Sequence, residues 1–307
     1  MRIFVTGATG FLGSYVAEEL VAQGHDVAVL LRPGTRPWRL AAIRDRFTLI
    51  EGTLDDPSAL EAGLRSFAPD AVVHMAWRGV GNSERNSKDQ VRNIADTVAM
   101  VDLAADAGAT IFVGAGSQAE YGPYDRAIAE SDVPRPTTFY GIAKLASGLM
   151  AERRCAERKL RFAWLRIFSA YGPRDGEAWL IPSLIRTLRA NGHMALTACE
   201  QRWGFLHARD AAAAVRLVLE SPAAEGIYNL GSPDAPQLRE TVRRLHELIG
   251  AGELGLGEVP YRPDQVMVLA ADMTRLEALG WRPMVGLDQG LRETLAWHAA
   301  AEQQGAP

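Results

Sequence analysis

Short apolar runs separated by longer amphipathic stretches fill the first half of the chain. Helical patterns occupy 11–24, 57–66, 88–107 and 140–158. The apolar runs between them are rich in β-branched or aromatic residues, which favour buried strands. They read RIFVTG, DVAVLL, FTLIEG, AVVHMA, TIFVGA and RFAWLRIF. Strands that alternate with helices predict an α/β protein with a doubly wound parallel sheet covered on both faces.

This regular alternation weakens after about Tyr171. A loop, YGPRDGEAW, is followed by a helical pattern, then by a short strand with a long helix, and by a last helix near 286–302. We therefore predict a dinucleotide-binding domain over 1–170 and a smaller C-terminal α/β substrate-binding domain over 171–307. A segment near 203–222 is expected to return to the first domain.

Composition excludes several classes of function. The chain has 307 residues and a net charge of −4, which argues against a nucleic-acid or anionic-membrane surface. No apolar run is long enough to span a membrane, and MRIFVTG leads directly into a strand pattern rather than a signal peptide. Two cysteines make no disulfide framework, and we find no metal-ligand spacing. We expect a cytoplasmic protein with reduced thiols.

Glycines are spaced closely between the first strand and the first helix, in TGATGFLG. A tight turn needs a residue without Cβ, and a pyrophosphate can approach the backbone only at such a residue. The free N–H groups of the helix N-terminus also favour a phosphate. A glycine-rich turn that binds nothing is the alternative, but this position supports a Rossmann-like dinucleotide site. The expected contact residues are Gly7, Thr9, Gly10, Phe11, Leu12 and Gly13.

The end of the second strand indicates which dinucleotide binds. NAD-binding proteins usually place an acid there, which accepts a hydrogen bond from the ribose 2′-OH. This chain has Leu31 at that position, followed by Arg32. A guanidinium suits a 2′-phosphate, so NADP(H) is favoured and NAD(H) stays possible. Arg36 could assist Arg32 in binding the 2′-phosphate. Alternatively, Arg32 is a solvated charge at the end of the strand.

Tyr140 and Lys144 are four residues apart and share one helix face. A tyrosine has a pKa near about 10, and a nearby ammonium and a cationic nicotinamide would lower that pKa. The phenol then becomes useful for acid–base work on a carbonyl or alcohol. Ser117 follows a buried strand, at the sheet edge where open α/β folds bind ligands. The tyrosine–lysine spacing alone is weak evidence for an active site, and the serine strengthens that evidence.

From Met1 to about Trp297 the chain resembles the extended short-chain dehydrogenase/reductase family of nucleotide-sugar epimerases, dehydratases and ketoreductases. The motifs occur in the family's order: TGATGFLG, VVHMAW, GSQAEYG, YGIAK, LRIFSAYGPR, FLHARDAA, YNLGS and LEALGWRP. The resemblance implies that Tyr140 is the acid–base residue and that Lys144 holds the nicotinamide ribose. It also implies that Ser117 bonds the reacting oxygen.

The resemblance implies further contacts. Additional cofactor contacts are Leu54, Met75, Ala76, Trp77, Tyr140 and Lys144. Substrate contacts are Trp77, Arg78, Gln118, Ser169, Arg202, His207 and Arg262. Arg262 is expected to grip the diphosphate of a sugar nucleotide, or else to be a loop charge. His207 can equally be a packed strand histidine, and Trp77, Arg78, Gln118 and Tyr171 can equally be packing residues.

Departures from the family narrow the chemistry. The Asp-Glu pair that drives loss of water in 4,6-dehydratases is Gln118-Ala119 here, which makes dehydration by that route improbable. Ser169 replaces an asparagine that contacts substrate phosphates in the family. Thr53 replaces an aspartate that contacts adenine, and Asp55 is the residue that could substitute for it.

These features favour an NADPH-dependent reductase of a nucleotide-linked 4-keto-6-deoxysugar. Arg32 supports this choice, and EQRWGFLHARD with YRPDQVMVLAAD look most like the 4-ketoreductases of deoxysugar pathways. The alternatives are a nucleotide-sugar 4-epimerase with tightly held NAD and a non-catalytic regulator that senses the dinucleotide. Family resemblance also implies a homodimer formed through the helices near 88–107 and 140–158.

Overall fold

The computed structural model describes residues 1–262 and 265–303. A seven-stranded sheet forms its centre. In chain order the strands are β1 Arg2–Thr6, β2 Asp26–Leu31, β3 Thr48–Glu51, β4 Ala71–His74, β5 Ile111–Ser117, β6 Arg161–Ile167, β7 Ser169–Tyr171, β8 His193–Leu196, β9 Arg202–Trp203, β10 Phe205–His207, β11 Gly226–Leu230, β12 Glu253–Leu256 and β13 Val268–Leu269. The sheet has the order β11-β6-β5-β4-β1-β2-β3, and all its neighbouring strands are parallel.

Helices cover both faces of this sheet. They are α1 Phe11–Ala22, α2 Pro57–Phe67, α3 Arg92–Asp106, α4 Phe139–Arg158, α5 Leu180–Arg189, α6 Ala208–Glu220, α7 Leu238–Ile249, α8 Thr274–Ala278 and α9 Leu287–Gln303. Helices α1 and α6 pack together and contribute to one apolar cluster, whereas α2, α3 and α4 contribute to a second. The predicted doubly wound α/β class is therefore confirmed.

Six central strands coincide with the six apolar runs of the sequence. Their side chains are almost all buried in β1, β4 and β5, as expected for parallel strands covered on both faces. The long helical pattern at 88–107 begins as a 3₁₀ turn, Lys88–Val91, and continues as α3.

The returning segment is longer than the sequence predicts. Helix α6 packs on α1, and β11 then pairs with β6 at the edge of the central sheet. The return therefore extends to Leu230 rather than ending near residue 222. Its final strand, GIYNL, has only five residues and begins with a glycine of positive φ. Such a glycine is more typical of a turn than of a strand, so the sequence does not mark this segment clearly.

The C-terminal region is built from short parallel ladders, β7 with β10, β8 with β12 and β9 with β13, together with α5, α7 and α9. A third apolar cluster, which includes Ile185, Leu188 and Leu245, forms its core. Within the described ranges, no helix is long and apolar enough to cross a membrane.

Candidate functional site

The glycine loop adopts a backbone that only glycine fits well. Gly7 has φ of +72°, and a Cβ on it would lie 2.6 Å from the backbone nitrogen of Ala76. A Cβ on Gly13 would lie 2.1 Å from the carbonyl oxygen of Gly7, so α1 packs directly on the turn. Gly10 is the N-cap of α1, and no side chain caps that N-terminus. The loop therefore leaves a bare helix N-terminus at the carboxyl edge of the sheet, which suits a pyrophosphate.

The end of β4 forms the opposite wall of this loop. The backbone nitrogen of Met75 donates to the Thr6 carbonyl oxygen, and that of Ala76 donates to the Thr6 hydroxyl. The same hydroxyl lies 2.8 Å from His74 Nδ1. Burial, with the charge of Lys144, lowers the pKa of His74 to about 3, so this histidine is a neutral buried support. Met75 and Ala76 thus lie beside the glycine turn.

The end of β2 lies at the same edge. Arg32 follows the strand and is exposed, so its guanidinium is accessible to a phosphate. Leu54 is half-buried against the second apolar cluster.

Arg78 occupies a different environment from the one expected of a substrate contact. Its guanidinium pairs with Asp55 at 2.9 Å and with Asp96 at 3.0 Å. Its backbone is held by Asn93, whose side chain accepts from the Arg78 nitrogen and donates to the Arg78 carbonyl oxygen. These contacts tie Arg78 to the α3 side of the site, and the pairing also engages Asp55, which the sequence offered as an adenine contact.

Ser117 ends β5 and begins a 3₁₀ turn over Gln118–Glu120. Its hydroxyl accepts from the Ala119 nitrogen, and the carboxylate of Glu120 accepts from the Ser117 nitrogen at 2.8 Å, which completes a capping box. Glu120 also accepts from Trp164 and forms a buried ion pair with Arg166. Glu120 is not among the residues predicted from the sequence, although its place three residues after Ser117 is the signal of a capping box.

Tyr140 lies in the first turn of α4, where it is 6% exposed. The next residue, Gly141, lets α4 approach the strand end, because a Cβ there would lie 2.3 Å from the Ala119 carbonyl oxygen. This contact brings the phenol of Tyr140 close to Ser117. Burial raises the pKa of Tyr140, and the Ser117 side chain and the charge of Arg85 oppose that rise.

Lys144 lies one helical turn further along α4 and is 4% exposed. Its Nζ donates to the Ala115 carbonyl oxygen at 2.7 Å and lies 3.6 Å from the ring centroid of Trp77. Burial lowers the pKa of Lys144 to about 7. The Nζ is 5.9 Å from the Tyr140 ring centroid. The lowered phenol pKa expected from the sequence is not present in the chain alone, because burial outweighs the charges near the phenol.

A buried amide network holds the loop after β4 beside these residues. Gln90 accepts from Trp77 Nε1 and donates to the carbonyl oxygens of Gly79 and Glu84. Trp77 then meets the Tyr140 ring edge to face, with ring centroids 5.9 Å apart. Trp77 therefore lies beside Tyr140 and Lys144, whereas Gln90 has no recognisable signal in the sequence.

The remaining expected substrate residues are spread over the C-terminal side. Ser169 begins β7, Arg202 is exposed in β9 with its Nε donating to the Ala235 carbonyl oxygen, and Arg262 is exposed. Gln118 is half-buried directly after Ser117. These positions lie on segments that follow the sheet's carboxyl ends or belong to the smaller domain.

His207 and Tyr171 are packing residues. His207 is the N-cap of α6, where its Nδ1 accepts from the Arg209 nitrogen, and its ring contacts Tyr15 and Tyr171. The Tyr171 hydroxyl donates to the Leu287 carbonyl oxygen. His207 is therefore the packed histidine that the sequence left as an alternative to a substrate contact.

Taken together, these features fit a nicotinamide dinucleotide. The bare N-terminus of α1 and the glycine turn suit its pyrophosphate, Arg32 is accessible at the end of β2, and Tyr140 and Lys144 lie on the same edge of the sheet. Chemically, the Ser117 and Tyr140 hydroxyls can hold a carbonyl or alcohol oxygen, and the phenol can exchange a proton with it.

Known proteins with the same features support this interpretation. The family model for the NAD dependent epimerase/dehydratase family matches residues 3–231. A dTDP-glucose 4,6-dehydratase from Streptomyces griseus is 31% identical, over 97% of this chain and 94% of its own length. A UDP-glucose 4-epimerase from Corynebacterium glutamicum is 30% identical, over 92% of this chain and 91% of its own length.

A solved structure matches in fold as well. The dTDP-glucose 4,6-dehydratase of Streptomyces venezuelae, solved with NAD bound, superposes with a TM-score of 0.87 at 26% identity, over 99% of this chain and 98% of that one. The enzyme of extended short-chain dehydrogenase/reductase type expected from the sequence is thereby confirmed. The chain belongs to the NAD dependent epimerase/dehydratase family.

Proposed function

We propose that the protein is an NADPH-dependent reductase of a nucleotide-linked 4-keto-6-deoxysugar. The observation that carries the proposal is the convergence of Ser117, Tyr140 and Lys144, all nearly buried, at the carboxyl edge of the sheet that also bears the glycine turn. Arg32 supports NADPH over NADH because it is exposed at the end of β2, where a 2′-phosphate would need a cation.

The residues of this chain supply binding and proton transfer. The dinucleotide supplies the hydride when it is bound. Ser117 and Tyr140 hold the ketone oxygen, and Tyr140 donates its proton as the alcohol forms. Burial raises the pKa of Tyr140, so the phenol is protonated at neutral pH and ready to act as the acid. Lys144 would hold the nicotinamide ribose when the dinucleotide is bound, and the positive charge of its ammonium form would stabilise the Tyr140 phenolate after proton transfer.

Dehydration is disfavoured by the groups beside Ser117. Gln118 and Ala119 cannot supply the carboxyl pair that removes water in the 4,6-dehydratases of the family. Glu120, the carboxylate in this turn, is 1% exposed and is engaged by Arg166, Trp164 and the Ser117 nitrogen. A carboxylate held in this way is not available to move a proton to or from substrate.

A nucleotide-sugar 4-epimerase with tightly held NAD is the second candidate, favoured by the 30% identity to a UDP-glucose 4-epimerase. The two candidates differ in their demand for cofactor. The reductase should purify largely free of dinucleotide and should oxidise added NADPH one for one with the 4-keto sugar nucleotide. An epimerase should carry NAD through purification and interconvert sugar nucleotides with no added cofactor. Tight NADPH binding without turnover on either substrate class would instead favour the non-catalytic regulator.

The proposed homodimer would form through α3 and α4, which pack on each other. The outer surface of α4 carries exposed apolar side chains, among them Phe139, Ile142, Leu149 and Met150. Met150→Glu should convert the dimer to a monomer in light-scattering measurements, with Met284→Glu, an equally apolar and more exposed site outside these helices, as the matched control. A monomeric wild-type protein would contradict this arrangement.

A further inference from the structure

The loop that follows β4 caps the helix that carries Tyr140. The Tyr140 nitrogen donates to the Arg85 carbonyl oxygen at 2.8 Å, and the Phe139 nitrogen donates to Asn86 Oδ1 at 3.2 Å. The Thr138 hydroxyl accepts from the Gly141 nitrogen. The first N–H groups of α4 are therefore satisfied partly from within the helix start and partly by a loop more than 50 residues earlier in the chain.

The side chain of Arg85 lies over the phenol ring. Its Cζ is 5.1 Å from the ring centroid of Tyr140, in a cation–π arrangement. Its Nε is buried and has no hydrogen-bond partner among residues 1–262 and 265–303. A buried guanidinium nitrogen without an acceptor is unusual.

The other charged and polar groups around the phenol leave a place for this cation. On the β5 side, the Ser117 side chain lowers the pKa of the phenol and the negative charge of Glu120 raises it. On α4 itself, Lys144 is engaged by the Ala115 carbonyl oxygen and the Trp77 ring. The guanidinium of Arg85 is thus the cation on the loop side, and its charge opposes the rise that burial imposes on the phenol pKa.

We propose that Arg85 is a positioning residue for the reaction, which fixes the Tyr140 ring through the loop and supplies the positive charge that stabilises its phenolate. The inference deepens the proposed function, since a reductase must regain a proton on this phenolate after each turnover, and an epimerase must form it. It assigns no role to Arg85 in holding the dinucleotide.

Ionisation of the phenol can be followed without turnover. Protein labelled with ¹³Cζ-tyrosine, in its complex with NADP⁺, is titrated by NMR up to about pH 11, with Tyr140→Phe identifying the Tyr140 signal among the seven tyrosines. Arg85→Gln removes the charge, and Arg85→Lys restores it. Arg92→Gln is the matched control, because Arg92 is an exposed cation seven residues after Arg85, at the start of α3. Its Nε lies 3.5 Å from the Asp89 carboxylate, which is a long ion pair.

The inference predicts that Arg85→Gln raises the pKa of the Tyr140 phenol by about one unit, a tenfold change in its ionisation constant. Arg85→Lys should restore most of the shift, and Arg92→Gln should leave the pKa unchanged. An unchanged pKa in Arg85→Gln overturns the inference. So does a Lys variant that behaves like the Gln variant, or a wild-type phenol still protonated at the top of the titration. These readouts need no substrate, so absence of turnover would contradict the proposed function alone.

Discussion

Two glycines with similar backbones separate the strain of a positive φ from the steric need of the glycine turn. Gly7 and Gly24 have φ of +72° and +82°. A Cβ on Gly24 would meet nothing within 4 Å, whereas a Cβ on Gly7 would lie 2.6 Å from backbone atoms of Met75 and Ala76. Alanine at either site costs about 1–2 kcal/mol for the left-handed backbone. At Gly7, forced contact with the backbone should add about 1–3 kcal/mol.

Gly24→Ala should therefore lower the free energy of unfolding by about 1–2 kcal/mol and Gly7→Ala by about 2–5 kcal/mol. Denaturant unfolding measures both values, and quenching of tryptophan fluorescence by NADPH measures binding. We expect Gly24→Ala to bind NADPH like wild type and Gly7→Ala to lose at least tenfold in affinity, since the distorted turn carries the pyrophosphate site. Equal destabilisation by the two variants would show that contact with the backbone of Met75 and Ala76 adds nothing to the strain of a positive φ. Normal NADPH binding by a folded Gly7→Ala would show that the pyrophosphate site does not depend on this turn.

Three further predictions follow from single side chains. Arg32→Ser should weaken NADPH binding at least tenfold and leave NADH binding within about twofold, because a charged hydrogen bond contributes about 1.5–3 kcal/mol; fluorescence titration with both dinucleotides tests this, and equal losses would contradict it. Glu120→Gln should destabilise the protein by about 3–5 kcal/mol in denaturant unfolding, since it leaves the buried Arg166 charge uncompensated, and a loss under about 1 kcal/mol would speak against that pairing. Burial lowers the pKa of His74 from 6.5 to about 3, so the stability that neutral His74 contributes above pH 6.5 should be lost as the pH falls toward 3, by up to about 1.4 kcal/mol per pH unit. Thermal unfolding measured at a series of pH values should show a smaller loss of stability per pH unit in His74→Gln than in wild type. An identical loss in the two proteins would exclude this role.

The sequence predicts six strands of the central sheet, because parallel strands that are buried on both faces consist of continuous apolar runs. It also predicts Ser117, Tyr140 and Lys144, since a strand end and the following helix start meet at a known edge of the sheet. It does not predict β11, which has only five residues and begins with Gly226, a residue more typical of turns than of strands. The weak strand needs the neighbouring β6 to define it.

Partners that are distant along the chain account for the other differences. Arg78 pairs with Asp55 and Asp96, and a list of charges cannot say which of them will meet. Arg85 approaches Tyr140 only because its loop caps α4, a contact between segments more than 50 residues apart. The pKa of Tyr140 depends on burial as well as on charge, and burial is a property of the folded chain.

In the proposed reaction, Tyr140 passes a proton to the reacting oxygen, and other residues provide most of the dinucleotide binding. A single-turnover experiment with Tyr140→Phe tests it most directly, with NADPH affinity measured on the same sample. We predict that the rate of NADPH oxidation by the 4-keto sugar nucleotide falls by about 10²–10⁴-fold, because the phenol is the proton donor, while the NADPH affinity stays within about threefold of wild type. An unchanged rate would contradict the claim, as would a loss of rate that merely follows a loss of NADPH affinity.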